Sequence, residues 1–209
     1  MTDPVSVLRL GDDENRFSPD WLQRVHSFLD GVEGALVTTG GGRFYSNGLD
    51  LEWLTAHSDQ ASQYVADVQE LFARVLTLPV PTVAAVNGHA FGAGAMLAMA
   101  HDFRVMRADR GFFCFPEADI NIPFTPGMAA LIQGKLTPSA AIASMTTGRR
   151  FGGAEALETG LVDEIAAEGE VVKVASERVR ALAGKDRGIL GTIKATMFAP
   201  AVTALRTPA

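Results

Sequence analysis

The strongest constraint on the fold is an alternation of short apolar runs with helical patterns through the first half of the chain. Apolar and β-branched residues form short runs at 5–10, 35–38 and 82–86. Helical patterns separate these runs, and in the longest, at 59–78, apolar residues recur with a period of about 3.6 residues. Strands that alternate with helices form parallel sheets with crossover helices. The sequence therefore predicts an α/β fold.

Helix boundary signals refine this prediction. Ser18 and Pro19 are a capping residue and a first-turn proline, and they predict a helix that runs to about Asp30. The same logic starts a helix at Thr137, after which the chain is mostly helical. Helices are expected at 152–159, 171–182 and about 189–198, with one strand at 161–165. We therefore expect a core over residues 1–136 and a mostly helical C-terminal region of the same domain over 137–209.

Composition excludes several classes of function. The net charge of the 209 residues is −6, and no stripe of basic side chains is present, so nucleic-acid binding is not expected. The single cysteine, Cys114, excludes an internal disulfide and a CxxC metal site. The four histidines are far apart and none has metal-ligand spacing, so we predict no metal.

Targeting signals are also not visible in the sequence. The N-terminus lacks the basic and apolar regions of a signal peptide, and no apolar run reaches the roughly 18–20 residues of a membrane span. The C-terminal Arg-Thr-Pro-Ala differs from the peroxisomal Ser-Lys-Leu signal. A cytoplasmic protein without a membrane partner is the expectation.

Two glycine-rich segments, at 42–51 and 87–97, lie where a predicted strand passes into a helix. Glycine lets the backbone approach a ligand closely, and N–H groups at the start of a helix are free to donate. Such a junction can form an oxyanion site from the main chain alone. The second segment lacks the third glycine of a dinucleotide fingerprint, and the chain has no GxSxG elbow and no phosphate-binding loop.

A third segment places a carboxylate among apolar residues. Glu117 ends an aromatic run and is followed by Ile120 and Phe124. Partial burial would raise its pKa and make it a better proton acceptor near neutral pH. Asp119 is a rival, because both acids would share one side of an extended segment. The sequence alone does not separate them.

Together these segments resemble the crotonase superfamily, also called the enoyl-CoA hydratase/isomerase family. The resemblance extends from Leu8 to about Ile165. Its most specific part is AAVNGHAFGAG at 84–94, which is similar to the second oxyanion segment of the family. The first oxyanion segment is similar to FYSNGLDL at 44–51, and the late helix–turn segment to TGRRFGGAEALETGLVD at 147–163. The fold implied is a crotonase-type spiral of βαβ units with a helical C-terminal region.

The resemblance also implies residue roles. The N–H groups of Leu49 and Ala93 would hold the thioester oxygen of an acyl-CoA substrate, and Glu117 would remove a proton. The substrate would contact a further set of residues: Tyr45, Ser46, Asn47, Gly48, Leu51, Gly92, Met96 and Phe124. No cofactor is implied, since the CoA thioester is itself the substrate, and the family often assembles as homotrimers or hexamers.

One departure from the family pattern bears on the reaction. Hydratases of the family carry two glutamates, and Met96 stands where the first is expected. Moving a double bond needs one base, whereas hydration usually divides its proton transfers between two acids. The sequence is most similar to short Δ3,Δ2-enoyl-CoA isomerases of fatty acid β-oxidation. A hydratase, or a protein that binds acyl-CoA without catalysis, remains an alternative.

Overall fold

The computed structural model describes residues 3–207, which form eight strands and eleven α-helices. The strands are β1 (Val5–Arg9), β2 (Ala35–Thr39), β3 (Phe44–Ser46), β4 (Thr82–Val86), β5 (His89–Phe91), β6 (Phe103–Arg107), β7 (Phe113–Cys114) and β8 (Glu164–Ala166). The first six helices are α1 (Pro19–Asp30), α2 (Leu51–Ala56), α3 (Ala61–Leu76), α4 (Ala93–Ala100), α5 (Glu117–Ile120) and α6 (Pro126–Gln133). The remaining five are α7 (Pro138–Met145), α8 (Gly153–Thr159), α9 (Val171–Arg180), α10 (Arg187–Met197) and α11 (Ala199–Arg206).

The strands form two parallel sheets, and the chain adds strands to the two sheets alternately. The larger sheet has the order β1-β2-β4-β6-β8, and the smaller has the order β3-β5-β7. From β2 to β7, each strand of the larger sheet is followed in sequence by a strand of the smaller one. The chain therefore advances as a spiral of βαβ turns, and the predicted α/β class with parallel strands is confirmed.

The helices begin where the sequence places their capping residues. The side chain of Ser18 accepts a hydrogen bond from the Trp21 N–H at 3.2 Å, and the helix α1 runs from Pro19 to Asp30 as predicted. Apolar side chains of α1 and α3 then pack on the sheets, where Phe17 stacks on Trp21 with ring centroids 4.3 Å apart. By contrast, none of the six residues of α2 is buried.

The C-terminal region differs from the prediction in two details. The strand β8 covers Glu164–Ala166 rather than 161–165, and it completes the larger sheet beside β6. A further helix, α11, follows α10 directly and packs against α3 and α6. The expected end of this region at residue 209 lies outside the described residues.

No single helix within residues 3–207 is long and apolar enough to span a membrane. Only α10 and α11 taken together meet the length and composition criteria, and that pair is bent by 75°.

Candidate active site

A cleft of about 340 Å³ brings the three predicted segments together. It lies beyond the ends of β3, β5 and β7, where the smaller sheet passes into α2, α4 and α5. The lining consists of Asn47, Leu49 and Leu51 from the first segment, Phe91, Gly92 and Ala93 from the second, Pro116, Glu117, Ile120 and Ile122 from the third, and Arg16 with Glu52.

The first backbone donor, Leu49, follows a segment that is fixed by buried hydrogen bonds. The Ser46 hydroxyl donates to the Asn15 carbonyl at 2.7 Å and accepts from the Gly48 N–H at 3.0 Å. Asn15 also donates from Nδ2 to the Tyr45 carbonyl at 3.0 Å. Gly48 has a φ of +82°, which favours glycine. These contacts set the orientation of the peptide that carries the Leu49 N–H.

The second donor, Ala93, is the first residue of α4, whose N–H has no acceptor within the helix. A Cβ on Gly94 would lie 2.3 Å from the Ser46 carbonyl oxygen, and a Cβ on Gly48 would lie 2.9 Å from the Ala93 nitrogen. The two junctions are therefore in direct backbone contact. Among residues 3–207, no acceptor receives a hydrogen bond from the N–H of Leu49 or Ala93.

Glu117 faces these donors from the first position of α5. Its side chain is buried, and a Cβ on Gly92 would lie 3.4 Å from its Oε1 atom. Burial raises the pKa of Glu117 to about 7, and a backbone hydrogen bond only partly opposes this. Its Oε2 atom has no hydrogen-bond partner among residues 3–207. A carboxylate of this kind can accept a proton near neutral pH and release it again.

The structure separates Glu117 from Asp119. Residues 117–120 form one turn of helix rather than an extended segment, so side chains two positions apart point to different sides. The Asp119 carboxylate is exposed and lies against Gly148, whose φ is +61°. Asp119 therefore contacts a neighbouring turn and does not line the cleft. Both acids would share one side only in an extended segment, and the structure does not have that conformation here.

Five of the predicted substrate-contact residues lie behind the cleft rather than in its lining. The Tyr45 hydroxyl is fully buried and hydrogen-bonds Thr38 at 2.8 Å. Met96 is 1% exposed, and Phe124 packs edge-on against Phe115 with ring centroids 6.2 Å apart. Ser46 and Gly48 fix the first donor segment. These five residues support the walls of the cleft, whereas Asn47, Leu51 and Gly92 line it.

Several lining residues were not predicted as substrate contacts. Ile120 and Ile122 are 47% and 37% exposed, and they form an apolar wall beside Glu117. Their signal in the sequence is a pair of large apolar residues in a polar loop directly after the candidate base. Arg16 pairs with Glu14 at 2.6 Å and with Glu52 at 3.3 Å. Within residues 3–207, no cluster of His, Cys, Asp and Glu side chains could hold a metal ion.

Comparison with known proteins identifies the family of this chain. A family model for enoyl-CoA hydratase/isomerase matches residues 18–208. The chain is 38% identical to the peroxisomal enoyl-CoA delta isomerase 2 of Arabidopsis thaliana over 183 residues, which cover 81% of this chain and 76% of that protein. It is 36% identical to enoyl-CoA delta isomerase 3 of the same plant over 203 residues, which cover 90% of this chain and 85% of that protein.

The fold also matches solved structures. The crystal structure of a probable enoyl-CoA hydratase from Mycobacterium tuberculosis superposes with a TM-score of 0.92 at 32% identity, covering all of this chain and 90% of the other. The spiral of βαβ turns is therefore of the crotonase type. The matched segment covers more than nine-tenths of the chain, and the chain belongs to the enoyl-CoA hydratase/isomerase family.

Proposed function

We propose that this protein is an enoyl-CoA delta isomerase that converts 3-enoyl-CoA to 2-trans-enoyl-CoA. The observation that carries this proposal is one buried carboxylate, Glu117, placed opposite two adjacent backbone junctions. The other carboxylate of the cleft, Glu52, has a side chain that is 87% exposed and pairs with Arg16. The names of the Arabidopsis relatives agree with this activity.

The reaction follows from the positions of these groups. The thioester oxygen would accept hydrogen bonds from the N–H groups of Leu49 and Ala93, which stabilise negative charge as it develops. Glu117 would then take a proton from C2, and the electron pair of that C–H bond would form a dienolate. Return of the proton to C4 moves the double bond from C3 to C2. One carboxylate suffices, because it ends in the state in which it began.

Hydration is the second candidate reaction of the family, and the site supports it less well. Hydration adds the oxygen of a water molecule to C3 and a proton to C2, work that family hydratases divide between two glutamates. Met96 stands at the first of these positions, and its thioether cannot transfer a proton. A role in binding without catalysis is disfavoured by the raised pKa of Glu117, which suits proton transfer.

The activity is tested by incubating the protein separately with 3-enoyl-CoA and 2-trans-enoyl-CoA of several chain lengths. We expect conversion of the first to the second, and much slower formation of 3-hydroxyacyl-CoA. Formation of 3-hydroxyacyl-CoA faster than isomerisation would support the hydratase. Binding of both thioesters without turnover would support a non-catalytic protein.

The proposal extends to the assembly and the metabolic role of the protein. By analogy with the family, we propose a homotrimer or hexamer that acts in fatty acid β-oxidation. A cytoplasmic location stays a prediction from the sequence. Light scattering at micromolar concentration should give three or six times the chain mass of 22.2 kDa. A monomer would contradict the assembly and would leave the proposed reaction untouched.

A further inference from the structure

Another cavity lies in the larger sheet, at the N-terminal ends of the inner strands β4 and β6. Its volume is about 310 Å³, at the lower end of the roughly 300–1,000 Å³ found for small-molecule sites. It shares no lining residue with the active cleft. The chain has only four lysines, and three of them line this cavity: Lys135, Lys185 and Lys194. We call it the lysine pocket.

One of the three lysines is neutralised by a neighbour. The Lys194 ammonium donates to the Asp102 carboxylate at 2.6 Å and to the Val80 carbonyl at 2.7 Å. Its side chain is 5% exposed, so the ion pair is largely shielded from water. Asp102 is the one carboxylate in the lining of the pocket. Among residues 3–207, neither Lys135 nor Lys185 forms a salt bridge of its own, although Asp102 and Asp163 act on the charge of Lys135 from a distance.

Lys135 is a partly buried cation without a carboxylate partner among residues 3–207. Its ammonium donates to the His101 carbonyl at 2.7 Å and lies 5.0 Å from the centre of the Phe198 ring. An ammonium has three donors, so this contact leaves two unused. Burial lowers the pKa of Lys135 to about 8, with a further contribution from the positive charge of Arg104. An anion in the pocket would relieve this desolvation.

The remaining walls are apolar. Phe103 and Leu190 line the pocket, together with Ile193 and Met197 on one side of α10. The Ile193 and Met197 side chains are 49% and 64% exposed, which is high for large apolar residues. Residues four apart on a helix are neighbours, so these two form a continuous apolar strip along α10. A straight hydrocarbon chain fits such a strip.

We propose that the lysine pocket binds a small amphiphilic carboxylate with a straight apolar chain. The carboxylate lies between the ammonium groups of Lys135 and Lys185, and the chain packs along α10 against Ile193 and Met197. Charge complementarity selects an anion, since three lysines and one carboxylate line the pocket. The apolar strip selects an alkyl chain over a purely polar anion. This proposal is independent of the reaction in the active cleft.

Calorimetric titration of the whole protein with octanoate tests the site. We expect saturable binding, and at least tenfold weaker binding of octan-1-ol, which has the same chain without the charge. Lys135→Gln should weaken octanoate binding about tenfold or more, and Lys185→Gln severalfold. Lys173→Gln changes the fourth lysine, which lies outside the pocket, and should have no effect. Because Lys185 is exposed, its variant is expected to fold normally.

Two results would overturn the proposal. One is octanoate affinity that is equal in the native protein, Lys135→Gln and Lys185→Gln, which would place the ligand elsewhere. The other is the absence of saturable octanoate binding to the native protein. If Ile193→Asp then also lowers the mass measured by light scattering, the apolar strip is a contact between copies of the chain.

Discussion

The active cleft and the lysine pocket each contain an interior carboxylate, but the two carboxylates differ in their hydrogen-bond partners. In the pocket, one oxygen of Asp102 accepts hydrogen bonds from Lys194 at 2.6 Å and from the Thr82 N–H at 2.8 Å. In the cleft, the Oε2 atom of Glu117 has no partner within residues 3–207. A paired interior carboxylate holds elements together, whereas an unpaired one costs stability and can exchange a proton near neutral pH.

Glu117→Gln removes the unpaired carboxylate of the cleft and should have the largest effect on turnover. Glutamine has nearly the same shape but cannot take up a proton at neutral pH, and the backbone donors remain in place. We expect turnover to fall about 10²–10⁴-fold, the usual contribution of a positioned general base. Affinity for acyl-CoA should change little, as measured by titration with a saturated thioester.

Asp119→Asn is the matched control for this change, since the same charge is removed two residues away. It should leave most of the turnover, because the Asp119 carboxylate is exposed and lies against Gly148. Activity lost in Asp119→Asn and retained in Glu117→Gln would show that the base is misassigned. If neither change matters, the enolate mechanism itself is wrong.

Replacing Asp102, the paired carboxylate, should lower stability and leave turnover unchanged. Asp102→Asn leaves the Lys194 ammonium buried without its counter-ion, and breaking such a pair costs about 3 kcal/mol of unfolding free energy. In a chain of this size that corresponds to a melting temperature lower by roughly 6–12 °C. Turnover measured well below this temperature should be unchanged. Asp109→Asn is the control, because its pair with Arg107 is exposed to solvent and should contribute little to stability.

Glu117→Gln should also make the fold more stable at high pH. Burial raises the pKa of this carboxyl from 4.5 to about 7, so between these values the folded chain keeps a proton that the unfolded chain has released. Stability contributed by this group is therefore lost as the pH rises through that window. We expect the variant to gain about 3 kcal/mol over the native protein at pH 8. At pH 4 the two should unfold alike, and a constant difference across this range would contradict the assignment.

The smallest expected effect is that of removing the Ser46 hydroxyl, which lies behind the Leu49 N–H. Ser46→Ala removes the acceptor for the Gly48 N–H and the donor to the Asn15 carbonyl, so the Leu49 peptide is held less firmly. We expect kcat to fall about tenfold with KM nearly unchanged, since the loss falls on charge developed in the transition state. Ser144→Ala removes another buried hydroxyl, in α7, and should leave kcat unchanged. Equal effects in both variants would indicate a general loss of stability.

Local signals account for much of what the sequence predicts correctly. Ser18 and Pro19 fix the start of α1, and the β-branched run at 82–86 matches β4. These features depend on neighbours in the chain. The glycine-rich segments predict two backbone donors, and in the structure the two segments are in contact through Gly48 and Gly94.

Features that depend on residues far apart in the chain cannot be predicted from local sequence patterns. Residues 117–120 turn into a helix, which no local cap indicates, and this turn separates Glu117 from Asp119. The helix α11 also went unpredicted. Lys135 and Lys194 lie 59 positions apart in the sequence, and only the tertiary fold brings them to one pocket.

The exposure of the helix α2 bears on how the cleft can differ among members of the family. It contributes Leu51 and Glu52 to the cleft, although none of its six residues is buried. Two of its side chains, Trp53 and Leu54, pack only partly buried against the core, whereas Ala93 and Glu117 are buried in other elements. A change in this segment can therefore reshape the cleft without altering Ala93 or Glu117. Exchanging residues 51–60 among relatives should redirect which acyl chains are accepted while the proton transfer is inherited intact.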